Sequence, residues 1–323
     1  MRLGIALVCA MAAAFAVASD LDQARALILE RRLDEARAIL DKTVTDPALK
    51  GESLVLLTRV SNFKGDYETG IAYGKQVVAL LPASSEAHYE YAVALRIRLT
   101  KVGKLKAMMS LGGYKDELAR AIELDPRNVA PREEEIGFLL DAPGIAGGDV
   151  EKARKKIVEL KAVDWKRGAR LEVYALRKEG NKEGAIVLLT EILAKDPNDR
   201  ASRFTLATTL QEAGRFKDAE QELNKLAQVQ EGTWALAATY QLARTRILGQ
   251  YEPDRAVELL LDFIAKVPDK AQGLPGKSSA YWRLGNAYEQ LKQPDKARQA
   301  YEKAIALDPE NKEAAKALKA LRQ

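Results

Sequence analysis

Apolar residues recur at helical spacing from Leu21 to Leu321, and short turns containing Gly, Asp, Asn or Pro interrupt them at regular intervals. No stretch shows the two-residue alternation of a convincing strand. Six of the eleven prolines follow short apolar runs such as IELD and IALD, where a proline stops a helix because it lacks a backbone N–H. These prolines are Pro47, Pro82, Pro126, Pro197, Pro268 and Pro309. The pattern predicts an all-helical chain of short helices joined by tight turns.

The spacing of these prolines indicates an internal repeat. Successive prolines are 35, 44, 71, 71 and 41 residues apart. These distances are close to one or two units of about 34 residues with small insertions, a period typical of a helix–turn–helix repeat. Because one helical hairpin cannot bury its apolar face alone, we expect the hairpins to stack on one another.

The last unit, which begins at Ser278, carries the most informative positions. Two small residues, Gly285 and Ala297, stand where antiparallel helices would cross closely, and larger residues stand on either side of them. The eight positions that define the pattern are Tyr281, Leu284, Gly285, Tyr288, Ala297, Tyr301, Ala304 and Pro309. At all eight positions this unit resembles the tetratricopeptide repeat.

Earlier units match the same repeat pattern at fewer positions. The unit that begins at Arg200 has Ala207 and Ala219 at the two crossing positions, whereas the next unit has Arg244 at the first of them, which predicts looser packing there. The resemblance covers essentially the whole chain after its first 18 residues. It implies an all-α fold, a right-handed α-solenoid of about eight helical hairpins within residues 19–323.

Two further segments belong to this organisation. Residues 269–277 read as a linker before the last unit; the sequence AQGLPGKSS lacks the first glycine of a phosphate-binding loop, since Ala271 stands in its place. Residues 310–323 have a polar-faced helical pattern and are predicted to form the terminal capping helix that such arrays require.

The repeat is interrupted near residues 101–113, because Pro126 comes ten residues later than the register expects. We expect lengthened helices with a break at Gly112–Gly113. In one interpretation Met108 and Met109 fill the core of a longer hairpin. In the other, the segment is a protruding contact surface that contains methionine and basic residues. These basic residues are Arg96, Arg98, Lys101, Lys104 and Lys106.

A second interruption, near residues 142–149, enlarges a turn with the sequence APGIAGGDVEKA. Its glycines would suit an anion at a helix N-terminus, but Asp149 stands where an N-cap belongs and would satisfy the same amides. A structural turn is therefore favoured. The PGI-GG pattern resembles turns of secreted bacterial repeat proteins.

The N-terminal segment 1–18 has one Arg, a long apolar stretch and small residues at Ala16 and Ala18. This composition is typical of a secretory signal peptide cleaved after Ala18, and the acidic residues that follow argue against a retained membrane anchor. We therefore expect a periplasmic or secreted protein that is not transmembrane after cleavage.

Composition excludes most catalytic chemistry. One His and one Cys are too few for a zinc site or a Cys–His nucleophile pair, so no metal, cofactor or enzymatic activity is expected. His88 falls at a packing position of its unit. Although the net charge is +5, both signs are interspersed among the 30% of residues that are charged, which does not indicate nucleic-acid binding.

The resemblance to tetratricopeptide repeats also implies a binding surface. In that family the first helix of each unit lines a concave groove that holds a peptide. Trp282 is the strongest candidate here, because Tyr281 already supplies the packing residue. The basic clamp by which some members hold a C-terminal carboxylate is incomplete. The positions that would face the groove are Tyr89, Phe204, Thr208, Gln211, Gln241, Thr245, Trp282, Asn286 and Glu289.

These features predict a secreted or periplasmic scaffold that binds a protein or peptide through its concave groove, with no small-molecule substrate evident. The alternative is a structural subunit or assembly factor of a cell-envelope complex. Such a subunit would contact its neighbours through the convex face and the 101–113 insertion.

Overall fold

In the computed structural model, residues 20–228, 232–269 and 273–321 are described, and every regular element among them is helical. The predicted all-α class is confirmed. Contacts group the chain into two compact units, residues 1–168 (unit 1) and 169–323 (unit 2), whereas the repeat register places 19–323 in one array.

The described part of unit 1 contains four helical hairpins. The first two consist of α1 (20–29), α2 (Leu33–Thr43), α3 (Lys50–Lys64) and α4 (Tyr67–Leu80). The other two consist of α5 (Ser85–Lys101), α6 (Lys104–Leu124), α7 (Val129–Asp141) and α8 (Val150–Val163), with a 3-10 turn (Gly144–Ala146) between the last pair.

Unit 2 contains four more hairpins and a final helix, and its boundary with unit 1 falls inside α9. The first pairs are α9 (Trp165–Lys178), α10 (Lys182–Lys195), α11 (Arg200–Glu212) and α12 (Phe216–Ala227). The remaining helices are α13 (Thr233–Gly249), α14 (Pro253–Lys266), α15 (Lys277–Gln290), α16 (Pro294–Leu307) and α17 (Lys312–Ala320). Eight hairpins followed by one helix agree with the predicted α-solenoid class.

Small residues set the distance between paired helices, as the repeat predicts. Gly285 is buried, and a Cβ atom at this position would overlap the ring of Tyr301 on the partner helix. Only a glycine lets this ring pack directly on the backbone of α15. The alanines at the second crossing position are fully buried along the chain: Ala36, Ala153, Ala185, Ala219, Ala256 and Ala297.

The lengthened hairpin differs from the prediction in two ways. Helix α6 runs for 21 residues without interruption through Gly112–Gly113, so the expected break is wrong. Its helical hydrogen bonds continue because two glycines weaken a long helix by only about 1 kcal/mol each relative to alanine. The chain instead turns at Val102 and Gly103, immediately before α6.

The interpretation of Met108 and Met109 as core residues is also wrong, since their side chains are 59% and 80% exposed. The next helix, α7, packs on the later part of α6, where Tyr114 and Phe138 have ring centroids 5.3 Å apart. In the described structure α7 therefore leaves the first turns of α6 uncovered on this side.

The turn at 142–149 has the structural role that the sequence predicts. Asp149 caps α8 by accepting a hydrogen bond from the backbone N–H of Lys152 at 2.9 Å. Gly147 has a φ of 95°, which favours glycine, and the Lys115 Nζ donates to the carbonyl oxygen of Ala146 at 3.0 Å. This last bond ties the turn to α6.

Two predicted segments lie wholly or partly outside the described residues. The signal peptide at 1–18 is one, and positions 270–272 of the linker are the other. On either side of that gap the Lys277 Nζ contacts the Asp269 carboxylate at 2.6 Å. Across the described ranges, no helix is both long and apolar enough to span a bilayer.

Candidate functional site

The first helices of three consecutive hairpins in unit 2, α11, α13 and α15, lie side by side. Hydrogen bonds between neighbouring members include Gln211 Nε2 to the carbonyl oxygen of Gln241 at 3.2 Å and Gln290 Nε2 to that of Ile247 at 2.8 Å. We call the surface that these three helices share the first-helix face. Eight of the nine predicted groove residues lie on these three helices, whereas Tyr89 lies on α5 in unit 1.

Aromatic side chains cover one part of this face. Phe204 and Trp234 form an edge-to-face pair with ring centroids 5.9 Å apart, and both side chains are half-buried. Trp282 on α15 is also half-buried, so it remains available to a partner. The repeat register did not select Trp234, because it lies in the first turn of α13, before the first numbered position of its unit.

Two predicted groove residues are interior instead. Gln211 is 4% exposed and Thr245 is fully buried. The Gln211 Nε2 donates to the Thr245 hydroxyl oxygen at 2.6 Å, so both side chains are used to join α11 to α13. They cannot face a peptide. The half-buried Thr208 donates its hydroxyl to the carbonyl oxygen of Thr205 at 3.0 Å within its own helix.

Two arginines on the first-helix face, Arg244 and Arg283, have no carboxylate within 4.0 Å among the described residues. Burial lowers the pKa of Arg244, and the nearby charge of Arg283 lowers it further. Elsewhere in unit 2, Arg203 contacts the Glu222 carboxylate at 2.5 Å. At Arg244 the Glu212 carboxylate opposes these effects, so the positive charge there is partly compensated.

Neighbouring side chains hold both guanidinium groups in place. Arg244 donates to the side-chain oxygens of Gln211 and Gln241, the latter at 3.3 Å. The Arg283 guanidinium carbon lies 4.3 Å from the centroid of the Trp282 ring, a cation–π distance. The Nε of Arg283 is buried and has no hydrogen-bond partner in the described part of the chain.

The two other predicted positions on α15 are engaged by the second helix of the same hairpin. The Tyr301 hydroxyl donates to Asn286 Oδ1 at 2.7 Å and to Glu289 Oε2 at 2.6 Å. Burial and the Glu289 carboxylate raise the pKa of Tyr301 well above its usual range, so the phenol stays protonated. Glu289 is nevertheless exposed at the surface.

In unit 1, Tyr89 borders a cavity of about 630 Å³ between α5, α6 and α7. Most of its lining is apolar, and both sequence interruptions contribute to it: Met108 and Leu111 from the first, Pro143 and Ala146 from the second. The cavity exists where the lengthened α6 extends beyond α7. Tyr89 also borders a second depression of about 620 Å³.

A polar cluster lies at one side of the cavity. Arg96 and Glu134 are in contact at 2.5 Å, and the Tyr114 hydroxyl donates to the same Glu134 oxygen at 3.1 Å. Burial raises the pKa of Glu134 despite the opposing effects of Arg96 and Tyr114. The Nε of Arg96 is not aligned for a hydrogen bond, so the contact is an ion pair without directional bonding.

His88 occupies a packed position, as its place in the repeat predicts. Its side chain is 11% exposed, with Nδ1 2.5 Å from Glu117 Oε2 and Nε2 3.1 Å from the carbonyl oxygen of Pro82. Both ring nitrogens are thus occupied by structural contacts. Within the described ranges, no group of three or more His, Cys, Asp or Glu side chains is arranged to hold a metal ion.

The fold and the first-helix face define a helical-hairpin repeat protein. Two stretches, residues 176–239 and 278–311, match family models described as Tetratricopeptide repeat, and the second is the unit that begins at Ser278. These two stretches therefore carry tetratricopeptide repeats. This fold generally mediates protein–protein interaction, and proteins built from it are generally non-enzymatic scaffolds.

The chain is similar to solved structures of tetratricopeptide-repeat proteins. A thermophilic tetratricopeptide-repeat protein from Thermus thermophilus is 17% identical, with 60% of this chain and 99% of that chain covered and a TM-score of 0.54. A tetratricopeptide repeat protein from Parabacteroides merdae is 10% identical, with 95% of this chain and 99% of that chain covered and a TM-score of 0.49. Among curated proteins, none matches the sequence.

Proposed function

We propose that this protein is a secreted or periplasmic scaffold that binds a segment of a protein partner non-covalently through the first-helix face of unit 2. The observation that carries the proposal is the presence of three half-buried aromatic side chains, Phe204, Trp234 and Trp282, on neighbouring first helices. Aromatic side chains in such positions anchor partners because each buries a large apolar area at a small entropic cost.

The binding test replaces two aromatic anchors together, Phe204→Ala and Trp282→Ala. The partner is first identified by crosslinking in the native envelope and mass spectrometry, and its affinity is then measured by calorimetry. We expect affinity to fall at least about tenfold, since an anchor residue contributes about 2 kcal/mol or more. Leu261→Ala is the control, because this exposed residue lies on α14, a second helix. Unchanged affinity in the double variant would contradict the proposal.

The location is tested separately. Cell fractionation and N-terminal sequencing of the purified protein are expected to give an extracytoplasmic chain that begins at Ser19. A chain that retains Met1, or one found with cytoplasmic markers, would remove this part of the proposal and leave the binding face untouched.

A second candidate function, a structural subunit or assembly factor, is favoured by the exposed apolar residues at the start of α6. Leu105 is 75% exposed and Met109 is 80% exposed, beside the exposed Lys104 and Lys106. Monomeric proteins usually cover such a patch. Because α6 is continuous, Leu105→Glu with Met109→Glu is a better test than deletion. Loss of complex recovery with intact peptide binding would favour this second function.

A further inference from the structure

We infer that the start of α6 is a surface that lies on an anionic phospholipid bilayer. We call this surface the α6 tip, and it consists of Leu105, Met108 and Met109 with the flanking Lys104 and Lys106. Contact with a bilayer goes beyond peptide binding by unit 2. It also gives this segment a lipid partner, where the second candidate function gives it a neighbouring subunit.

The side chains of the α6 tip are sorted around the helix axis. At about 100° per residue, the three apolar side chains fall within one arc of about 100°, and one lysine stands within about 60° of each edge. On the other side of the same turns Ala107, Ser110 and Leu111 are half-buried. The apolar arc therefore points away from the body of the protein, the reverse of a helix that covers a core.

The apolar side chains of this arc are highly exposed. Leu105 is 75% exposed, Met108 is 59% exposed and Met109 is 80% exposed. Apolar side chains that are adjacent and exposed to this degree mark a contact surface. For an interfacial helix, the covering surface is the boundary between lipid headgroups and acyl chains, where apolar side chains insert and lysines stay among the headgroups.

The charge of the segment selects an anionic bilayer. Between Glu90 and Asp116 the sequence has six basic residues and no acidic one. The two lysines of the α6 tip form no ion pair within 4.0 Å with any described residue. Each lysine close to an anionic bilayer strengthens binding by about fivefold, so these unpaired charges favour such a surface over a neutral one.

The acidic side chains near the α6 tip do not cancel this charge. Glu68 of α4 borders a depression together with Arg98 and Lys106, so the basic groups outnumber the acid there. The acidic residues of α7 that line the neighbouring cavity include Glu133 and Glu134, and both of these pair with arginines. The positive charge of the α6 tip therefore remains available to a partner.

The composition of the α6 tip favours lipid over a protein neighbour. Protein interfaces are depleted in lysine and anchored by aromatic side chains, whereas the first turns of α6 have two lysines and no aromatic residue. A lysine can lay its aliphatic stem along an apolar surface and keep its ammonium group among charged headgroups. A second copy of the chain is disfavoured, because lysines would then face lysines.

The test measures flotation of the full chain, as purified from cells, with lipid vesicles. The wild type should bind phosphatidylcholine vesicles that contain about 30% phosphatidylglycerol at least about tenfold more tightly than pure phosphatidylcholine, and less tightly as salt is added. Leu105→Gln with Met109→Gln removes the apolar arc, and Lys104→Gln with Lys106→Gln removes the charge. Each pair should weaken binding to the anionic vesicles at least about tenfold.

Matched control variants make the same changes at other exposed sites. Val158→Gln with Val187→Gln replaces apolar side chains that are 68% and 70% exposed on α8 and α10. Lys152→Gln with Lys155→Gln replaces two exposed lysines of α8. Both controls should bind the anionic vesicles as the wild type does, and circular dichroism checks that every variant is folded.

Three results would overturn the inference. Equal binding to neutral and anionic vesicles would remove the selection by charge. Equal losses in the control variants would show a general attraction of the basic chain to lipid. Absence of vesicle binding, with recovery of a protein complex that depends on Leu105 and Met109, would assign the α6 tip to the second candidate function. Partner binding by Phe204 and Trp282 is measured without lipid, so a failure here leaves the proposed function of unit 2 standing.

Discussion

Two hairpins of the molecule are built alike at one end and differently at the other. They are the last hairpin of unit 2, α15–α16, and the lengthened hairpin of unit 1, α5–α6. At the shared end the Ser278 hydroxyl donates to the carbonyl oxygen of Ala304 at 2.8 Å and accepts from Asn311 Nδ2 at 2.9 Å. The same two bonds recur in α5–α6 with the same lengths. The equivalent residues there are Ser85, Ala121 and Asn128.

The two hairpins differ at the opposite end. In α15–α16, Gly285 admits the ring of Tyr301, and the two helices close on each other. In α5–α6 a fully buried tyrosine, Tyr114, stands twelve residues before the helix-stopping Pro126, where the last hairpin has Ala297. Its ring contacts α7, and the neighbouring turns leave a cavity. The hydrogen-bonded end is thus common to both hairpins, while the cavity lies beside α5–α6, where α7 packs on only part of α6.

The largest difference between the two regions is expected when the same repeat position is substituted in α15–α16 and beside the cavity. The measured quantity is the change in stability. Gly285→Ala is expected to destabilise the protein by about 1 to 3 kcal/mol, because the new Cβ overlaps Tyr301. Gly137 lies on α7 and lines the cavity. Gly137→Ala should stabilise the protein by up to about 1 kcal/mol, since nothing lies within 4 Å of a Cβ there and alanine favours a helix. Urea unfolding followed by circular dichroism measures both, and equal signs would contradict the distinction between a tight crossing at Gly285 and free space at Gly137.

A third hairpin boundary has a charged helix cap, Asp199. This cap makes the stability of the protein depend on pH, whereas the neutral caps Asn128 and Asn311 do not. Asp199 caps α11 and contacts Arg170 at 2.6 Å. Burial opposes its ionisation, but the hydrogen bonds from Arg170 and Ser202 outweigh burial and hold the pKa of Asp199 below its usual range. The ionised Asp199 therefore contributes fully to the free energy of unfolding above about pH 4. This contribution is lost as the pH falls through the lower pKa of the folded state.

Asp199→Asn keeps a side chain that can cap the helix and removes the charge. We expect it to lower stability on the order of 1 to 2 kcal/mol at pH 7 and by much less at pH 2. Thermal unfolding across pH 2 to 7 measures the difference. A constant difference at all pH values would show that the charge of Asp199 does not matter.

Removal of either serine hydroxyl tests the shared end. Ser85→Ala and Ser278→Ala should each destabilise the protein by about 1 kcal/mol, because each leaves an asparagine N–H without its partner and removes a second hydrogen bond from a helix carbonyl. The two losses should agree within about 0.5 kcal/mol when measured by urea unfolding. A loss at only one site would mean that the two ends are not equivalent.

The smallest expected effect concerns Arg244 and Arg283. Arg283→Gln should leave stability unchanged or raise it by a few tenths of a kcal/mol, because it removes repulsion with Arg244. Arg246→Gln is the contrast, since it breaks a contact with Glu220 and should destabilise. Calorimetric melting temperatures distinguish them, and a clear loss for Arg283→Gln would assign that residue a structural role.

The helix pattern, most of the turns and the close crossing at Gly285 were readable from the sequence, because each depends on a local residue pattern, whereas the turn at Val102 and Gly103 was not predicted. The exposure of Met108 depends on how far α7 extends, and the burial of Thr245 depends on Gln211 from another helix. Local periodicity does not contain this information. For the same reason the sequence revealed neither the Arg244–Arg283 pair nor the cavity.

The bond from Asn311 to Ser278 has a consequence for how unit 2 unfolds. Because the residue that caps α17 also satisfies a group at the start of α15, the last hairpin reaches its full stability only after the following helix has formed. Helix α17 is thus an integral part of its neighbour and more than a solubilising cover. A chain that stopped before Asn311 would fray from this end, and hydrogen exchange in α15 would accelerate before exchange in α11.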